Sequence, residues 1–376
     1  MNLWRYGFAV VLACGCAAAP APKLDPMPPP QPKPTASALP PDPEPWRMAR
    51  PGAGKPGELR FPEPARIALA SGLSVIVVKK AVPVASLQLV FRHGGAACPP
   101  GKSGLSALTA RMLTEGTRKH PGPKLAEEVE RLGSTLDADA GRDTTTLSLS
   151  ALTEDLERAI ELLAEVVQEP AFMPADFERV RSEWLDGLRA ERQSPDRLAS
   201  LTALGALLGK PHGSPVSGTL SDVQKLSLND LRDFHQKAYR AADAVLIVVG
   251  DTELDRTQKA VERSFKKLAR GQSNLEQPFS LGSPPPPKQV LLVDRPGAVQ
   301  SAIVAVQPLP KRSEPGYETR ELLTTLLGGL FTSRLNLNLR EEHAYTYGAH
   351  AQNLSLIHIS EPTRLRRISY AVFCLK

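Results

Sequence analysis

The sequence is short of cysteine: among 376 residues only Cys14, Cys16, Cys98 and Cys374 carry thiols. So few, so scattered, exclude a disulfide framework as the basis of the fold. Basic runs are missing as well. The net charge is +6, residues 354–376 carry half of it, and no Lys/Arg cluster elsewhere marks a nucleic-acid surface. The N-terminal apolar core, Tyr6–Ala13, is too short to span a bilayer. No two of the seven histidines stand four apart, so no helix offers a pair of imidazoles to a metal.

What the N-terminus does hold reads as an export signal. Arg5 precedes the apolar core, and Val11-Leu12-Ala13-Cys14 resembles a bacterial lipoprotein cleavage box. Ala13-Cys14-Gly15-Cys16 is the alternative register, and cleavage near Ala17–Ala19 without lipid is the plainer one. Residues 1–16 are thus expected to be a lipoprotein signal peptide, with the lipid on Cys14 or Cys16, and the protein a periplasmic, outer-membrane-anchored one. Residues 20–64 hold 16 of the 36 prolines. Such a stretch cannot build a core, and a linker at 17–58 is expected to be an extended tether.

Order is expected from about Arg66. Ile67–Leu69, Leu73–Val78 and Ser86–Phe91 are β-rich, with Ser71-Gly72 as a turn. A helix follows from Gly104, and another carrying Leu125, Val129 and Leu132 stops at Gly133. Thr135–Asp139 and Thr144–Leu149 flank a hairpin turn. Helices near 154–168, 176–193, 196–208 and 228–238, a strand at Ala244–Val249 and a helix near 254–268 complete the first part. This order describes α+β rather than a doubly wound sheet.

Further on, Gly328-Gly329 leads into a helical segment with Leu335 and Leu339 on one face, and Tyr345-Thr346-Tyr347 suits a strand. An Arg at a helix end and a Tyr seven positions on can both donate to a peptide carbonyl or a developing oxyanion. By ordinary burial they can equally be a surface Arg and a half-buried Tyr. The wording "GGLFTSRLNLNLREEHAYTYG" resembles the second-domain signature of the M16 peptidase family (pitrilysin, insulinase, mitochondrial processing peptidase). "SGLSVIVVKK", "KPHGSPVSGTLSDVQKLSLNDLRDFHQKAYRAADAVLIVVGD" and "RPGAVQSAIVAV" match in family order, over about residues 60–353. The resemblance implies an M16/LuxS-like metallohydrolase domain at 59–275, a mainly antiparallel sheet with helices on one face. A Pro-rich joint at 276–288 and a truncated second copy at 289–353, opening with a strand at Gln289–Val293, would follow. It implies that Arg340 and Tyr347 contact the substrate backbone.

Peptide-cutting members of that family carry His-x-x-Glu-His on a first-domain helix, two imidazoles on zinc and a carboxylate on the bound water. Gly104-Leu105 and Met112-Leu113-Thr114-Glu115-Gly116-Thr117 fix the frame here. Ala107 then replaces the first ligand, Ala110 the base and Arg111 the second ligand, while Gly187 falls at the third. Arg111 would be solvated or would meet an acid of another chain. No cofactor is expected on this chain. His93, His212 and His235 read as surface or capping histidines, and Cys98 as an inert thiol.

Residues 354–376 read as the in-frame translation of a transposase-type sequencing adapter, Leu365-Arg366-Arg367 standing where a barcode would, and are expected to be foreign to the fold. The second copy would then lack elements that cover its sheet. By its resemblance to heterodimeric bacterial members, the chain is expected to hold unfolded peptide for a zinc-motif partner subunit. The open alternative is a non-enzymatic scaffold or peptide-binding lipoprotein, like members retained in respiratory complexes.

Overall fold

The computed structural model describes residues 61–275 and 289–354 except 311 and 313, together with Gly52, Gly54, Gly57 and the strand at 372–375. Cys14, Cys16, most of the 17–58 linker and the 276–288 joint lie outside the described residues. Everything below concerns the unit Phe61–Lys376.

Six strands form one sheet: β1 (Ala65–Ala68), β2 (Ser74–Lys79), β3 (Val84–Phe91), β4 (Asp137–Ala140), β5 (Thr145–Leu152) and β6 (Ala244–Gly250), in the order β1-β2-β6-β3-β5-β4. Only β2 and β6 pair in parallel; the other pairs are antiparallel. Alternation sets which face is covered. Leu87, Leu89 and Phe91 on β3, Leu147 and Leu149 on β5, and Leu246 and Val248 on β6 are buried, while the residues between them are partly or fully exposed. The helices therefore lie on one face, as the resemblance implies. They are α1 (Leu105–Leu113), α2 (Gly122–Arg131), α3 (Leu156–Gln168), α4 (Pro174–Glu191), α5 (Pro195–Leu208), the single turn α6 (Leu220–Val223), α7 (Leu228–Ala238) and α8 (Leu254–Ser264).

Local chemistry sets their ends. Ser227 and Asp230 make a reciprocal capping box at the start of α7, and Ser194 caps α5. Gly133 takes a left-handed φ of 62° just past α2. An aromatic column ties the sheet to α7. Phe91 packs on Tyr239 with ring centroids 4.8 Å apart, Tyr239 stacks on His235 at 4.7 Å, and Phe172 meets His235 edge-on at 5.4 Å.

Two glycines fix where α1 begins. Gly104 and Gly218 have φ of 90° and 85°, and a Cβ on Gly218 would lie 2.5 Å from the Ser103 carbonyl oxygen and 2.8 Å from the Gly104 Cα. Both conformation and space exclude a side chain. Gly218→Ala is expected to destabilise by about 2 kcal/mol or more, read as a lower melting temperature, whereas Gly101→Ala, left-handed but in open space, should cost less.

The second part departs from expectation in two places. Gln289–Val293 forms no strand; Val290 and Leu292 are 93% and 91% exposed. Its ordered strand is β7 (Ser301–Val304), whose backbone pairs with β8 (Val372–Leu375). Then come α9 (Tyr317–Thr324), a wider-wound turn at Thr325–Gly329, the short α10 (Arg334–Asn336) and a second wide turn at Leu337–Glu342. Tyr345-Thr346-Tyr347 is not a strand either. Its polar groups are met locally: Tyr345 N–H donates to the Leu339 carbonyl and the Thr346 hydroxyl to that of Gly348. Leu335 and Leu339 are both half-buried, as one helical face requires. Leu322, Leu323, Leu326, Leu327, Leu330 and Phe331 remain exposed.

Candidate functional site

On α1 the stripe Leu105, Leu108 and Met112 enters the core, at most 2% exposed. The adjoining face, where the resemblance puts the metal, is apolar and packed. Ala107 and Ala110 join Ala140 of β4 and Val216 in a small buried cluster, and Trp184 of α4 packs against it. The Trp184 indole N–H donates to the Ser217 carbonyl at 2.8 Å, which holds the ring in place. Arg111 is partly solvated, its side chain 42% exposed, and it has partners within this chain. Its guanidinium pairs with Glu115 of the next turn at 2.6 Å and donates to Thr114 Oγ1, and Glu115 also binds Arg179. Gly187 is exposed, with nothing within 4 Å of where a Cβ would stand.

Two methyls, a cation and a hydrogen atom offer no lone pair, so zinc does not fit these positions. Among the described residues no group of three His, Cys, Asp or Glu side chains could hold a metal ion. The histidines correct the surface reading. His93 and His212 are 7% and 2% exposed, facing Asp243 and Asp143 at 3.4 Å each. His235 is half-buried in the aromatic column and meets the Val167 carbonyl in the last turn of α3 with Nε2 at 2.8 Å, a capping contact, and desolvation pushes its pKa down to about 4. His120 Nδ1 meets the buried Glu165 carboxylate at 2.7 Å, and Thr117 donates its hydroxyl to the same oxygen. Burial pushes the Cys98 thiol up, which disfavours a reactive thiolate.

The other two sequence-derived residues stand in the second part. Arg340 lies 4.1 Å above the Phe331 ring and 3.3 Å from the Glu341 carboxylate; Tyr347 is 74% exposed. What connects their segments is Asn336, 2% exposed. Its side-chain amide donates to the Leu330 carbonyl at 3.0 Å and accepts from Ala349 N–H at 2.8 Å. Asn336 thus ties the turn bearing Phe331 and the helix leading to Arg340 to the loop carrying Tyr347.

The family model described as Insulinase (Peptidase family M16) matches residues 74–215, and the one described as Peptidase M16 inactive domain matches 225–360. The chain belongs to the M16 family. The non-peptidase homolog YmxG of Helicobacter pylori is 26% identical over 274 residues, 72% of this chain and 62% of its own length. The mitochondrial cytochrome b-c1 complex subunit 1 of Bos taurus is 30% identical over 202 residues, 54% of this chain and 42% of that protein. The chain thus spans less than two thirds of these M16 relatives. Among solved structures, a peptidase M16 inactive domain from Pseudomonas fluorescens superposes with a TM-score of 0.64 at 24% identity, covering 83% of this chain and 73% of that one. A protease from Helicobacter pylori gives 0.68 at 19%, covering 84% and 74%. Both superpose on this chain as proteins of the same fold.

Two residues that build these regions escaped sequence reasoning. Trp184 sits one turn before Gly187 on α4, and a Trp beside the helix's core-facing Phe177, Val180 and Leu188 is a signal of that kind. Asn336, an amide among alternating leucines, is another.

Proposed function

We propose that this chain is the peptide-holding, non-catalytic subunit of an M16-type zinc metalloendopeptidase. It works in the periplasm, tethered through Cys14 or Cys16, beside a partner subunit that supplies zinc and the general base. The observation that carries this reading is the asymmetry between its two halves. The metal face of α1 is closed by Ala107, Ala110 and Trp184, whereas Arg340 and Tyr347 are kept on a segment organised by the buried Asn336. A guanidinium braced on an aromatic ring and an exposed phenol suit the backbone of an extended peptide. The end strand β4 supports the same reading, because among the described strands it pairs only with β5 and leaves a ladder edge that an extended chain can join.

Mixed with a zinc-motif M16 subunit, the chain should enable cleavage of an unfolded peptide and show none alone. Arg340→Ala with Tyr347→Phe should lower the mixture's kcat/KM by about 10²-fold or more. An unchanged rate would remove the peptide-holding role. A second reading, a structural scaffold, draws support from the similarity to a cytochrome b-c1 subunit. It gains if the chain assembles stably with a zinc-motif subunit and leaves its rate unaltered.

A further inference from the structure

On α1 the positions of the first ligand and of the base are more than vacant of donors; the space before them is filled, whereas Arg111 at the second ligand position is partly exposed. Ala107 and Ala110 are 7% and 0% exposed, enclosed by Ala140 and Val216, with the Trp184 ring packed on the same cluster. The ring is held at its polar end by the Ser217 carbonyl. That carbonyl belongs to a segment with little freedom: Val216 lies 3.1 Å from the place of a Cβ on Gly95, and Gly218 abuts Gly104 and Ser103. A side chain larger than methyl at 107 or 110 must displace a clamped indole or the backbone behind it.

We infer that Trp184 is the residue that bars a metal from this face: it keys α1 to α4 in a geometry that a tetrahedral zinc site cannot share. The inference rests on the alignment of α1 with the family's metal helix and is independent of whether the chain holds peptide. The lack of a donor at Ala107, Ala110, Arg111 and Gly187 is then only half of the difference, and supplying donors alone does not make the site. Gly187 stands apart, since a side chain there has open space.

The test uses the full chain and zinc chloride in equilibrium dialysis, with circular dichroism and a thermal melt on every variant. One variant carries Ala107→His, Ala110→Glu, Arg111→His and Gly187→Glu; the second adds Trp184→Val. The second is expected to bind zinc about tenfold or more tightly than the first, the scale on which surroundings tune a metal site. Equal affinities, including no binding by either, would overturn the inference. Should the four-residue variant not fold, a double-mutant cycle of Ala107→His and Trp184→Val decides by melting. Relief of the Ala107→His destabilisation by Trp184→Val supports the key, and additive losses overturn it.

Discussion

Between pH 7 and pH 4 the protein is expected to lose about 3 kcal/mol of folding stability through one side chain, His235. Burial against Phe172 and Tyr239 lowers its pKa from about 6.5 to about 4 in the folded state. Above about pH 7 the ring is neutral folded and unfolded, and the shift has no effect. As pH falls through 6.5 the unfolded chain takes up a proton that the folded chain refuses, so stability drops until below about pH 4, where both are protonated. The gap from about 6.5 to about 4, at about 1.4 kcal/mol per pH unit, sets a full loss of about 3.5 kcal/mol, of which about 3 is reached by pH 4. Glu128, Glu157, Glu169 and Asp230 have lowered pKa values, so their contributions are lost at the acid end of this window and below it. Urea melts at pH 7, 5.5 and 4.5 on the parent and on His235→Gln separate the terms. The variant should be less stable at pH 7 but lose less on acidification; an identical slope in both would show that His235 does not couple to folding.

Truncating the other end of the same column should cost still more. Phe91 is fully buried at the end of a central strand, in contact with the Tyr239 ring. Phe91→Ala removes a large apolar side chain and leaves a cavity beneath Tyr239, an expected loss of about 3–5 kcal/mol. Phe91→Leu should recover more than half of it. Denaturant midpoints at pH 7.5, where His235 is neutral in both states, measure this without interference from titration. A loss below about 1 kcal/mol would mean that the region collapses around the gap, and that the column is not a rigid link between sheet and α7.

The first part was legible because its signals are local and repeated. Leu87-x-Leu89-x-Phe91 and Leu147-x-Leu149-x-Ala151 alternate cleanly, so strand and buried face follow together. Gly133 marks the end of its helix by a conformation other residues avoid. Gln289–Val293 and Tyr345–Tyr347 misled because β-propensity reports fitness for a pleated surface and not the presence of a neighbouring strand. The histidines misled for a related reason. Burial of His93 and His212, and the partial burial of His235, are set by helices and loops distant in sequence, and a polar residue type alone predicts the surface. At the site, the missing donors could be read directly from Ala107, Ala110, Arg111 and Gly187. What fills their place could not, because Trp184 reaches α1 across 74 positions of sequence from Ala110.

The burial of α1 also bears on ancestry. Eight of its nine residues are buried, Arg111 being the exception. A single return step such as Ala110→Glu would set a carboxylate in a dry site with no metal to neutralise it, and would destabilise the fold before any activity could reward it. A route to the motif one substitution at a time would therefore pass through less stable proteins, and the indole packed on the alanines makes this face of the helix harder to open than to keep closed.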